Sequence, residues 1–313
     1  MEIVWLLLSL VILYFGAEGL VSGAASLAKR IGISPLVIGL TIVSVGTSAP
    51  ELLVSVKAAL NGQGALSVGN VLGSNFFNVG IILGISAIIY PLAVKRQLLK
   101  LDVPVMVLTS LLFFLFFLDF TISALEAAIL VFLFIAYVTY LLISSRKNKS
   151  IDKGDEEEDE IKMSKHWLLD ILFIGVGLAA LVYGSDLLVV NAVIIAGWLG
   201  MSEALIGLTI VAAGTSMPEL ATSVVAALKK RSDIAIGNVV GSNIFNILLI
   251  LGVAGLIAPL NAPDINYVDG LFNLGIGVLL WLFMKRSSRI KRVQGAVFLL
   301  FYLIYFTYKL FLI

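Results

Sequence analysis

The chain has 313 residues, of which 60% are hydrophobic and 13% charged, with a formal net charge of +1. A soluble domain is nearer half apolar and about a quarter charged, so this composition is that of an integral membrane protein. No basic patch suggests nucleic-acid binding, the absence of cysteine excludes disulfides and thiolate chemistry, and a single histidine, His166, excludes a histidine-rich metal site.

The N-terminus carries Glu2 in place of a basic leader, so the first apolar stretch reads as a retained helix. A bilayer core takes about 20 apolar residues as a helix. Ten such spans are predicted, at 3–28, 35–60, 66–90, 101–118, 123–143, 168–195, 204–228, 234–258, 267–284 and 293–312. Turn signals such as "NGQG" at 61–64 and "NAPD" at 261–264 separate them. Lys and Arg collect in cytoplasmic loops. Here 19 of the 21 basic residues follow spans 1, 3, 5, 7 and 9, with only Lys57 and Lys309 near the other face. Both termini are therefore expected outside a cell membrane. The hydrophilic stretch 144–166, with "DEEEDE" at 155–160, reads as a solvated cytoplasmic linker. It lacks the spacing and turn glycine of an EF-hand loop. His166 beside Trp167 reads as a membrane-interface residue.

Residues 39–84 align with 207–252 without a gap, at a constant offset of 168, and 27 of the 46 positions are identical. "GTSAPEL" matches "GTSMPEL", and "GNVLGSNFFN" matches "GNVVGSNIFN". The register extends back to Glu18 and Asp186, two acids read either as half-buried groups near a cavity or as ion ligands. Five spans separate the copies, an odd number, so they enter the membrane with opposite polarity. The expected fold is an all-α polytopic membrane protein of ten transmembrane helices, built as two inverted-topology five-helix repeats, 1–143 and 167–313. In such transporters the site lies near the midplane between the repeats.

Proline removes an N–H and displaces the carbonyl four residues back, so Pro50 frees the carbonyl of Gly46 and Pro218 that of Gly214. At membrane depth a freed carbonyl must find a partner or line a polar cavity. Thr47, Ser48 and Glu51 lie within one turn of that break, as do Thr215, Ser216 and Glu219. Ser74 and Asn78 share a helix face, and Ser242 and Asn246 repeat them. Every donor in this set is an oxygen, which suits a hard cation such as Ca2+ and not zinc or copper. Two buried carboxylates balance one divalent ion, or monovalent ions competing for the same oxygens. Gly39, Gly69, Gly73 and Gly80 read as packing residues, and Asn75 and Asn243 as interhelical bonds.

These motifs resemble the cation/calcium exchanger superfamily, and its Na+/Ca2+ exchanger branch in particular, over nearly the whole chain. The resemblance implies ten helices, with spans 2, 3, 7 and 8 as a core and spans 1 and 6 long and slanted. It implies ion ligands at Thr47, Ser48, Glu51, Ser74, Asn78, Thr215, Ser216, Glu219 and Ser242, with backbone carbonyls of Ser44 and Ala212 for Na+. Asn246 stands where K+-dependent relatives carry Asp, which argues against K+ use. The H+/Ca2+ branch has a "GNAAEH"-like signature in place of "GTSAPE", so proton coupling is the alternative. A passive channel fits two inverted copies less well, and no nucleophile–base pair or metal triad suggests an enzyme. Na+ and Ca2+ are then substrates, no cofactor is implied, and the bilayer is the only partner expected, with no obligate protein partner.

Overall fold

The computed structural model describes residues 1–147, 164–200 and 212–312. Among these run α1 (Glu2–Ile31), α2 (Pro35–Thr47), α3 (Ala49–Leu60), α4 (Gly64–Ile89), α5 (Leu98–Asp119), α6 (Ala124–Lys147), α7 (Trp167–Trp198), α8 (Met217–Leu228), α9 (Ser232–Ile257), α10 (Tyr267–Arg286) and α11 (Arg292–Leu312). A single turn, Ala212–Gly214, precedes α8. Among the described residues, seven helices are long and apolar enough to cross a membrane, or eight if α2 and α3 form one bent span. The architecture is that of a helical membrane protein. The acidic run 155–160 and the first part of the expected span 204–228 lie outside the described residues. α6 continues to Lys147, beyond the expected end at 143, because nothing in "LLISSRK" stops a helix.

The helix starts follow from local chemistry. Ser34 Oγ accepts from Val37 N at 3.4 Å ahead of Pro35, which opens α2. His166 Nδ1 accepts from Leu168 N at 3.3 Å and so caps α7. Asn266 and Asp269 form a reciprocal capping box on α10. α2 and α3 meet at a 49° bend around Ser48, where Pro50 sits in the first turn of α3. Further irregularities are not signalled by any sequence pattern: besides π-helical stretches at Gly39–Val43 in α2 and Leu98–Asp102 in α5, two occupy matching places in the copies. α4 passes through a π-helical stretch at Asn78–Leu83, and α9 does so at Asn246–Leu251, each beginning on an asparagine.

The most buried helices are α4 and α9, whereas α1 and α7 lie at the periphery. α1 and α7 have 30 and 32 residues. At about 1.5 Å per residue they exceed the ~30 Å hydrocarbon thickness, so they must tilt to keep their apolar surface covered. They run antiparallel in direct backbone contact: a Cβ on Gly177 would fall 2.7 Å from Gly16 O, and one on Gly184 3.3 Å from Leu13 N. Arg30 Nε, 2.8 Å from Asp170 Oδ2, ties one end of the pair. α2 approaches α9 through Gly39 and Gly237 in the same way. Gly80 faces Tyr302, as a packing glycine should, but a Cβ on Gly73 would meet nothing within 4 Å, so packing does not explain that glycine.

Among the described residues, four two-residue strands pair antiparallel. β1 (Leu92–Ala93) meets β4 (Arg289–Ile290), and β2 (Thr121–Ile122) meets β3 (Leu260–Asn261). The first ladder joins the start of α5 to the end of α10, and the second joins the end of α5 to the start of α10. Those two helices therefore run in opposite directions.

Candidate functional site

Glu51 lies in the first turn of α3 and Glu219 in the first turn of α8, each immediately after its proline. A helix N-terminus presents unpaired N–H groups and a positive dipole end, which favours a carboxylate there. Both side chains are buried, each about 1% exposed.

The hydroxyls do not serve the carboxylate of their own motif. Ser48 Oγ donates to Glu219 Oε1 at 2.7 Å and lies 3.0 Å from Ser242 Oγ. Reciprocally, Ser216 Oγ donates to Glu51 Oε1 at 3.0 Å and lies 3.3 Å from Ser74 Oγ, with Ser74 Oγ 3.5 Å from the same carboxylate oxygen. Ser48 and Ser216 each bond to the carboxylate of the other copy. In the first copy the bend between α2 and α3 places Ser48 to reach across to the other copy. Thr47 Oγ1 donates to Asn238 Oδ1 at 3.1 Å. Ser44 O, implied as a ligand, accepts from Ser48 N at 3.0 Å. Ala212 begins the turn ahead of α8.

The asparagines cross in the same manner. Asn78 Nδ2 donates to Asn243 Oδ1 at 2.9 Å, and Asn246 Nδ2 to Asn75 Oδ1 at 3.0 Å. Asn75 and Asn243 thus act as the interhelical bonds expected of them. Each fixes the amide nitrogen of its neighbour and turns that neighbour's carbonyl oxygen away.

Five buried oxygens in this cluster have no hydrogen-bond partner: Glu51 Oε2, Glu219 Oε2, Asn78 Oδ1, Asn246 Oδ1 and Thr215 Oγ1. A buried polar atom without a partner costs on the order of 1–3 kcal/mol, more if charged. Five in one cluster mark a place built to receive something electropositive. Among the described residues no three His, Cys, Asp or Glu side chains gather. Any cation here would be held by two carboxylates and neutral oxygens.

Three contributors escaped the sequence reading. Asn70 Nδ2 donates to Glu51 O and to Ser55 Oγ, at 3.1 and 2.9 Å. Asn238 Nδ2 repeats both bonds with Glu219 O and Ser223 Oγ, at 3.3 and 3.0 Å. Their signal was present, since both sit in "GNV" of the matching copies. Ser185 on α7 donates to Gly214 O. The carbonyl freed by Pro218 is therefore taken by a hydroxyl, whereas the in-register position facing the first copy is Ala17.

A sequence profile described as sodium/calcium exchanger protein matches residues 1–143 and 169–311. The chain is 34% identical to the sodium/calcium exchanger MaX1 of Methanosarcina acetivorans, with 95% of each chain covered. It is 35% identical to the inner membrane protein YrbG of Escherichia coli, covering 93% of this chain and 91% of that one. Its structure is similar to that of the sodium-calcium exchanger NCX_Mj soaked with Na+, with a TM-score of 0.84, 34% identity and 97% of each chain covered.

Proposed function

The chain belongs to the sodium/calcium exchanger protein family, and from that premise we propose that it is a secondary antiporter exchanging Na+ for Ca2+ across a cell membrane. It is a transporter and not an enzyme. The observation that carries the reading is the pairing of Glu51 and Glu219. Each has one oxygen held by the opposite copy's serine and one oxygen without a partner, beside the unpartnered amide oxygens of Asn78 and Asn246. Two carboxylates balance one Ca2+, and neutral hydroxyl and amide oxygens complete the six to eight donors that Ca2+ takes. Na+ competes for the same oxygens, so the two loads exclude one another.

In this reading the ligands are Thr47, Ser48, Glu51, Ser74, Asn78, Thr215, Ser216, Glu219, Ser242 and Asn246, with the carbonyls of Ser44 and Ala212. The ligands come from two five-helix repeats, 1–143 and 167–313, in a ten-helix inverted arrangement with 144–166 cytoplasmic and both termini external. Support for the inversion comes from the ladders: β1 and β3, like β2 and β4, stand at the offset of 168, yet the pairs cap opposite ends of α5 and α10.

The test is 45Ca2+ uptake into proteoliposomes under imposed Na+, K+ or H+ gradients. Uptake against its own gradient is expected with an opposing Na+ gradient. Uptake driven only by the proton gradient would replace Na+ coupling with proton coupling, and uptake that never exceeds equilibrium would mean a channel.

A further inference from the structure

Glu18 on α1 and Asp186 on α7 stand at the same offset of 168 as the site glutamates, but outside the site. Because α1 and α7 run antiparallel, with Gly16 beside Gly177 and Gly184 beside Leu13, the two acids fall toward opposite ends of the crossing. Their surroundings differ. Asp186 is exposed at a wide, open hollow of about 550 Å3 lined in part by Val182, Gly46 and Ala49; the last two flank Thr47 and Ser48. Glu18 is instead held in an ion pair, with 38% of its side chain still exposed. Its Oε1 lies 2.8 Å from Lys229 Nζ, which also donates to Ser22 Oγ at 3.1 Å. α1 packs along α8, the helix that carries Glu219, whereas α7 makes no comparable packing with α3, the helix that carries Glu51. In register with Lys229 the first copy has Asn61, which brings no charge.

We propose that the Glu18–Lys229 ion pair is a latch that keeps the route to the site shut on its own side while the route past Asp186 stands open, and so biases which side the site faces. The proposal rests on the antiport reading, which requires two routes open in turn. An interaction made in one conformation only shifts the balance by its own free energy. Both partners are about a third exposed, so the bias is modest. It is also one-sided, because Asn61 cannot form the mirrored pair with Asp186.

The chain has no cysteine, so accessibility is measurable with single introduced thiols. Val182→Cys reports the hollow beside Asp186. Met217→Cys, in register with Ala49, reports the corresponding place in the other copy. Maleimide labelling rates are read on purified full-length protein, with Glu18→Gln or Lys229→Met added. Both additions are expected to raise labelling at position 217 and lower it at 182, by roughly threefold. The exchanged pair Glu18→Lys with Lys229→Glu should return both rates toward the parent. Unchanged rates in the single variants would overturn the latch, as would an exchanged pair that behaves like the single losses. Failure of the antiport reading is separate: parent labelling would then respond to neither Na+ nor Ca2+.

Discussion

At the residue scale, the proposed exchange site rests on the charges of Glu51 and Glu219. Glu51→Gln and Glu219→Gln keep the volume and the serine contact but remove the charge that offsets the dehydration of a divalent ion. Leaving one charge uncompensated in a buried place costs several kcal/mol. Each variant is therefore expected to lower Na+-driven 45Ca2+ uptake by at least about a hundredfold while melting no lower than the parent in Ca2+-free buffer. Uptake near the parental rate would remove that carboxylate from the site. Asn243 is a different kind of residue. It holds Asn78 Nδ2, and Asn243→Ala leaves that group buried without a partner, at a cost of about 1–3 kcal/mol. Reduced melting temperature together with weaker Ca2+ dependence of uptake is expected. Asn246 carries no charge, so in the proposed site one Ca2+ balances the two glutamates. Exchange at fixed Na+ is expected to run equally with and without K+, and a strict K+ requirement would refute this reading of Asn246.

At the element scale, the contact between α1 and α7 depends on hydrogen in place of a side chain. A Cβ on Gly177 would meet Gly16 O and Leu20 N, both at 2.7 Å, and backbone on both sides leaves no flexible atom to yield. Gly177→Val is expected to destabilise the protein by about 1–3 kcal/mol, read as a lowered melting temperature in detergent. Gly175 lies half a turn away with nothing within 4 Å, so Gly175→Ala is the control that should leave melting unchanged. The break between α2 and α3 was legible, because Pro50 cannot continue the hydrogen-bond ladder. The π-helical stretches at Asn78 and Asn246 were not, because one extra residue per turn has no composition of its own.

At the scale of the whole molecule, the strongest prediction concerns orientation. With 19 of 21 basic residues following odd-numbered spans, a cysteine placed within 150–160 is expected to react with an impermeant thiol reagent only from the cytoplasmic side. Labelling from outside intact cells would reverse the topology. The two-residue ladders, which tie the connections of one half to those of the other, were not predicted. Strands this short carry no period-two pattern from which to read them.

The sequence by itself determined the environment and the chemistry. In a chain this apolar, every buried Thr, Ser, Asn and Glu carries a desolvation cost, so polar residues repeated in register at an offset of 168 stand out against chance. That argument located the break at Pro50, the described helices and the polar residues that the fold gathers around Glu51 and Glu219. Only the tertiary structure decided who partners whom. Ser48 serves Glu219, Ser216 serves Glu51, Asn75 holds Asn246, Asn243 holds Asn78, and Ser185 takes the carbonyl that Pro218 frees. The first four of these contacts join residues from opposite copies, and the fifth crosses between helices. Helical periodicity states which residues share a face, but it carries no information about which face of another helix will lie against them.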